Sequence, residues 1–192
     1  MQNLISTPGP SCCCSAASAS GSLPVSPISG VFDLVDHFGR PVNERSYGDR
    51  HLLVFFGFTN CALVCPRELG KLARVLQLLG PLASEVQPLY VTVDPARDDP
   101  RAMQSYVSRL DSNFIGLTGS AEQVEAAKKA YRVFAKPVED LAAPGGYVVP
   151  HTAFAYLMAP GGSYITHFTE ALDAEAVTGR IKQHLCRDGA TT

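Results

Sequence analysis

An apolar run from Leu52 to Phe58, broken only by Gly57, has no polar alternation and is too short for a buried helix, so it predicts a strand covered on both faces. The period changes immediately afterwards. Leu69, Leu72, Leu76 and Leu79 recur along one helical face, with Arg67, Glu68, Lys71 and Arg74 on the other. Pro66 suits a first turn, and Gly80-Pro81 predicts the stop. A second apolar stretch, Val86 to Val93, reads as a strand ending at Asp94-Pro95. Asp98 or Asp99 ahead of Pro100 then opens a helix that turns Met103, Tyr106, Val107 and Leu110 inward. Phe114 to Leu117 is a short strand. Ser120 and Gln123 form a capping box for a third helix, with Val124, Ala127, Tyr131 and Phe134 inward and Lys128, Lys129 and Arg132 outward.

The flanks carry a different pattern. Phe32 and Leu34 alternate with Asp33 and Val35 ahead of a turn at Phe38-Gly39, which predicts a hairpin before the main sheet. Near the other end, Thr152 to Met158 and Ser163 to Phe168 flank Pro160-Gly161-Gly162 as a second hairpin. A last helix runs from Leu172 to Cys186 on Val177, Ile181 and Leu185. Strands that alternate with helices and lack tight turns pair in parallel, so the chain predicts an α/β sandwich. Between Ala135 and Pro150 the helical period is lost, and Pro137, Pro144, Gly145 and Gly146 mark a long loop inserted before the last hairpin. Residues 1 to 28 are rich in Ser, Pro, Gly and Ala and read as a disordered tail, which makes 29–188 the folded domain and 189–192 a short C-terminal tail.

Composition narrows the function classes. With 192 residues, 46% of them hydrophobic and 18% charged, the chain can build one real core. A net charge of −2 gives no footprint for nucleic acid. No stretch reaches the roughly 20 apolar residues of a membrane span, and the N-terminal region lacks the basic segment and apolar core of a signal peptide. Three of the six cysteines, Cys12 to Cys14, are adjacent within the tail, where they read as an inert accident, a metal-collecting or lipidated patch, or a remnant of processing. Only Cys61 and Cys65 form a spaced pair inside the fold.

That pair sits where the buried strand passes into the first helix. Cys65 is expected at or beside the helix N-cap, where free N–H groups and the positive end of the macrodipole stabilise a thiolate. The i, i+4 spacing places two sulfurs close enough to chelate, and soft thiolates select Cu(I) over harder ions. The same pair could instead run thiol–disulfide exchange without metal, or serve only as core atoms. Its position at a strand-to-helix junction argues against the last. Val64 to Glu68, VCPRE, is similar to a peroxiredoxin motif, but the hydroxyl donor needed three residues before the cysteine is replaced by Ala62.

The order of Gly57-Phe58-Thr59, Cys61, Cys65-Pro66, then Val91 to Pro100 (VTVDPARDDP), then Tyr147, Val149 and His151-Thr152, resembles the Sco/SenC family of copper-binding, thioredoxin-like proteins across residues 29 to 186. The resemblance implies a thioredoxin-like sandwich and a copper site made by Cys61, Cys65 and His151. Asp94 stands either behind those ligands or simply as a turn cap. It implies a metallochaperone rather than an enzyme, working on the copper centre of cytochrome c oxidase, with the oxidase copper subunit or another copper chaperone as partner. Thiol–disulfide exchange through Cys61 and Cys65 is the metal-free alternative. The family works in a periplasmic or other extracytoplasmic compartment, whereas this sequence shows no signal or anchor and so also fits a soluble cytoplasmic variant. Two departures stand out. Ala62 and Leu63 replace the usual Pro and Asp after the first cysteine, and Pro150 replaces the acidic neighbour of the histidine.

Overall fold

The computed structural model describes residues 28–110 and 113–188. The expected tails, with Cys12 to Cys14, therefore lie outside the described residues apart from Ile28 at their edge. A seven-stranded sheet organises the rest, in the spatial order β2-β1-β5-β4-β3-β8-β9. Here β1 is Asp33–Asp36, β2 Pro41–Asn43, β3 His51–Gly57, β4 Val86–Thr92, β5 Ile115–Thr118, β8 Ala155–Met158 and β9 Tyr164–Phe168. The first hairpin forms as expected and extends one edge of the sheet by pairing with β5. Strands β3, β4 and β5 are parallel, whereas β8 lies antiparallel to β3 on its other side and β9 closes that edge.

Every residue of β3 is buried, because helices cover both faces of the sheet. Leu53 and Phe55 point to one core, packed by Leu69, Leu72 and Leu76 of α1 (Val64–Leu79) and Val177, Ile181 and Leu185 of α4 (Ala174–Asp188). Leu52, Val54 and Phe56 point to the other, with Val124, Ala127 and Tyr131 of α3 (Ala121–Tyr131) and the hairpin residues Phe32 and Leu34. This is the thioredoxin-like sandwich with an added hairpin. Helix α2 (Pro100–Val107) packs its Met103 and Val107 in the first core, and the Ser120–Gln123 capping box is present in full.

Three details differ from the periodicity. Phe134 does not join the inner face of α3. The helix ends at Arg132 in the left-handed conformation (φ 57°), the chain turns out of the helical path, and Phe134 is 69% exposed. The two acids before α2 divide their roles: Asp99 caps the helix by accepting from the Ala102 N–H at 2.7 Å, while Asp98 is fully buried elsewhere. The insertion is not wholly irregular, because β6 (Val138–Glu139) and β7 (Tyr147–Val148) pair as a small second sheet. Gly145 and Gly146, at φ 81° and 79°, supply the left-handed backbone that brings the chain back into β7.

Candidate metal centre

At the C-terminal end of β3 the chain leaves the sheet through Phe58 and Thr59, and this short loop ends at the first turn of α1. Cys61 is half-buried in the loop, and Cys65 is fully buried one helical turn later. The Cys65 N–H donates to the Cys61 sulfur at 3.4 Å. The Cys61 thiol is held well below its usual value, at about 5. The cause is first the Cys65 thiol donating to it, then the N–H groups of Cys65, Leu63 and Val64, which together outweigh partial burial. Cys65 moves upward, because its proton is held on Cys61 and because burial disfavours its thiolate. The contacts favour the charge on Cys61, which accepts the Cys65 N–H, over the buried Cys65 expected to carry it. Leu63 is the N-cap and Cys65 already lies inside the helix, so the free N–H groups of the first turn converge on Cys61 instead.

Beneath Cys65 lies Tyr90 of β4, whose buried hydroxyl faces the Cys65 sulfur. Gly57 is what lets these groups meet. A Cβ there would stand 2.7 Å from the Tyr90 hydroxyl and 2.8 Å from the Cys65 sulfur. Any larger residue would push the strand away from the buried thiol.

His151 arrives from the other side, on the insertion. Its segment is tied to the end of α3 by a bridge between Ala135 and His151 and by the Thr152 N–H donating to the Phe134 carbonyl at 2.9 Å. The imidazole lies edge-on to the Phe58 ring, with centroids 5.8 Å apart. Nδ1 is 2.9 Å from the Val149 carbonyl oxygen and Nε2 is 3.1 Å from that of Phe56. Cys61 and His151 line one cavity of about 520 Å³, walled by Leu63, Ala142, Pro144 and Val149. Cys65, fully buried, is not among the residues that line it. As they stand, no three His, Cys, Asp or Glu side chains among the described residues converge on one point as a metal set.

Asp94 is not beside the sulfurs. Its carboxylate accepts from the Tyr147 hydroxyl at 2.9 Å and from Arg97 Nε, so it acts on the base of the histidine segment. Two neighbours on the same turn escaped the reading of the sequence. Asp98 accepts from the Thr59 N–H (3.0 Å), the Thr59 hydroxyl (2.5 Å) and the Thr92 hydroxyl (2.7 Å). Arg97 donates to the carbonyls of Pro144 (2.9 Å) and Tyr147 (3.2 Å). The one available signal was the doubled acid before Pro100, since a helix start needs only one cap.

The SCO1/SenC family model matches residues 21–186. The mitochondrial SCO2 homolog of Bos taurus is 38% identical over 160 residues, covering 81% of this chain. This chain spans only 59% of that relative's length. Among solved structures, Arabidopsis thaliana ScoI with copper bound has a TM-score of 0.78 at 30% identity, covering 83% of this chain and 99% of that one. Bradyrhizobium japonicum ScoI with copper bound has a TM-score of 0.73 at 35% identity, with coverages of 81% and 98%.

Proposed function

This chain belongs to the SCO1/SenC family, and on that premise we propose that it is a copper metallochaperone whose cargo is held by Cys61, Cys65 and His151. The observation that carries the reading is a half-exposed thiolate, Cys61, sharing one cavity with an imidazole and backed by a second thiol one helical turn away. The donor set fits the cargo. Two sulfurs suit Cu(I), and a nitrogen added to them suits Cu(II). A neutral imidazole has one N–H and can donate to only one of its two carbonyl neighbours. With that proton on Nδ1 toward Val149, Nε2 turns a lone pair toward the Phe56 oxygen. Whichever tautomer forms, one ring nitrogen keeps a lone pair with no donor opposite it, and that nitrogen is the one that would take copper.

Membership of the family supports delivery to the copper centre of cytochrome c oxidase, through its copper subunit or another copper chaperone. It likewise supports an extracytoplasmic compartment, in keeping with relatives whose names place them in mitochondria. No described helix is long and apolar enough to cross a membrane. Titration of the reduced protein with Cu(I) against a competing chelator tests the reading, with one tightly held ion per chain expected. Binding no stronger than that of a Cys61→Ser variant would remove it.

The half-exposed Cys61 beside the buried Cys65 favours a second reading. The Cys61 thiolate can attack a partner disulfide, and the freed partner sulfur takes up a proton. Cys65 then loses its proton and attacks the Cys61 sulfur of the mixed disulfide, releasing the partner as a dithiol and leaving Cys61–Cys65 oxidised. If that were the main activity, the dithiol would reduce a model disulfide at an unchanged rate in a His151→Ala variant.

A further inference from the structure

We propose that Arg97 and Asp98, adjacent residues on the turn between β4 and α2, act as a two-handed positioning clamp that sets the distance between the cysteine loop and the histidine segment. The proposal rests on the three-residue site proposed above and adds what holds its halves in register.

One hand grips the cysteine side. The Asp98 carboxylate is buried and takes three hydrogen bonds, two of them from Thr59, which lies two residues before Cys61. The backbone beneath it is fixed as well, since the Thr118 hydroxyl donates to the Asp98 carbonyl at 2.5 Å. A loop carrying a half-exposed thiol is thus tied to the sheet by a group that cannot leave without stranding three donors.

The other hand grips the histidine side. The Arg97 guanidinium lies 3.7 Å over the Tyr147 ring and holds the Pro144 and Tyr147 carbonyls, spanning the turn into β7. Asp94 fixes the guanidinium from below and takes the Tyr147 hydroxyl, so the arginine has little freedom to swing. The same guanidinium stands 5.8 Å over the Phe58 ring, which packs nearly perpendicular to the His151 imidazole. Phe58 therefore touches the clamp and the imidazole while belonging to the cysteine loop. Because Arg97 and Asp98 are consecutive, and both backbone N–H groups donate to the Asp94 carbonyl, the two hands spring from one fixed stretch of backbone.

The test uses the full chain carrying Arg97→Met, Arg97→Lys, Thr59→Val or His151→Ala, compared with the native protein. In the Arg97 variants Cu(II) retention should fall by about 10- to 100-fold, the range for lost supports behind metal ligands. Their thiolate-to-Cu(II) absorption and electron paramagnetic hyperfine splitting should shift toward those of His151→Ala, while Cu(I) affinity stays native. Lysine should not rescue, because it has neither the planar fork nor the stacking face. In the metal-free state, backbone amides of residues 140–152 should exchange about tenfold faster in the Arg97 variants and those of 59–65 should not, with the reverse in Thr59→Val.

Native Cu(II) signals and native exchange in a folded Arg97→Met or Arg97→Lys protein would overturn the clamp. Uniform loosening of both segments with unchanged Cu(II) signals would also overturn it, leaving only a general structural role. An unchanged Cu(II) spectrum in His151→Ala would instead remove the three-residue site. The metal-free exchange pattern would then decide the clamp by itself.

Discussion

The two halves of the candidate site are built by opposite means. The cysteine half is local: β3 ends, six residues turn, and α1 begins, so Cys61 and Cys65 are set by a strand and a helix that bury Phe55, Leu69 and Leu72. The histidine half comes from an insertion whose own sheet is two residue pairs long, with Val138 and Leu141 exposed. Apart from Val149, which is buried in the second core, its order rests on polar staples from distant residues, chiefly Arg97 and Asp94 to Tyr147 and the backbone around it. The lesson is one of energetics. A half held by burial should be costly to disturb and indifferent to single hydrogen bonds, while a half held by staples should loosen one bond at a time without unfolding the domain.

The largest effect expected from this contrast is at Phe55. It is fully buried in the central strand and stacks on Tyr90, so Phe55→Ala should cost about 3–5 kcal/mol in urea denaturation. A loss below about 1 kcal/mol would mean that the junction does not inherit its rigidity from the core. Replacing His151 should do the reverse. His151→Ala should lower stability by about 1 kcal/mol, the scale of one net hydrogen bond, yet abolish the thiolate-to-Cu(II) absorption while most Cu(I) binding survives. Pro150 in place of an acidic neighbour removes one means of orienting the imidazole, so Cu(II) retention is expected to be weaker than in relatives that have the acid.

The two cysteines sharpen the comparison within one half. Only the thiolate is alkylated, so the rate at Cys61 should rise as pH passes about 5 and then stay flat, while Cys65 remains unreactive well above pH 9. Peptide mapping after brief iodoacetamide treatment at pH 6 should find Cys61 labelled and Cys65 not. The linkage has a definite sign. A thiol whose folded value is depressed contributes stability that is fully present above its unfolded value, near 9, and is lost as pH falls toward about 5. Equal labelling of both thiols would show that the first turn of α1 does not concentrate its N–H groups on Cys61.

The smallest effect belongs to a single staple. Tyr147→Phe removes the hydroxyl bond to Asp94 but keeps the ring under Arg97, and should cost about 0.5–1.5 kcal/mol. Hydrogen exchange should register that loss in the insertion and leave β3 and α1 at native protection. Equal loosening of the core strands would show that the insertion folds as one unit with the sheet.

The sequence by itself determined the elements and the cysteine pair, because the signals behind them act over a few residues. Leu69, Leu72, Leu76 and Leu79 report one helical face, Ser120 and Gln123 close a capping box on themselves, and Cys61 and Cys65 are held close by a spacing of four residues at the mouth of α1. His151 was readable only through resemblance, since nothing near it in the chain distinguishes it from His37 or His167. Only the tertiary structure showed that Cys61 accepts the Cys65 N–H while Cys65 is buried, because that depends on where the first N–H groups of α1 point. It alone put Phe134 in solvent, one left-handed residue past the end of α3. The roles of Asp98 toward Thr59, Arg97 toward Tyr147 and His151 toward Phe56 span 39, 50 and 95 positions. Periodicity carries no information over such separations. A hydrogen bond is specified by where two backbones meet in space, and that meeting is set by how the whole sheet closes its two cores.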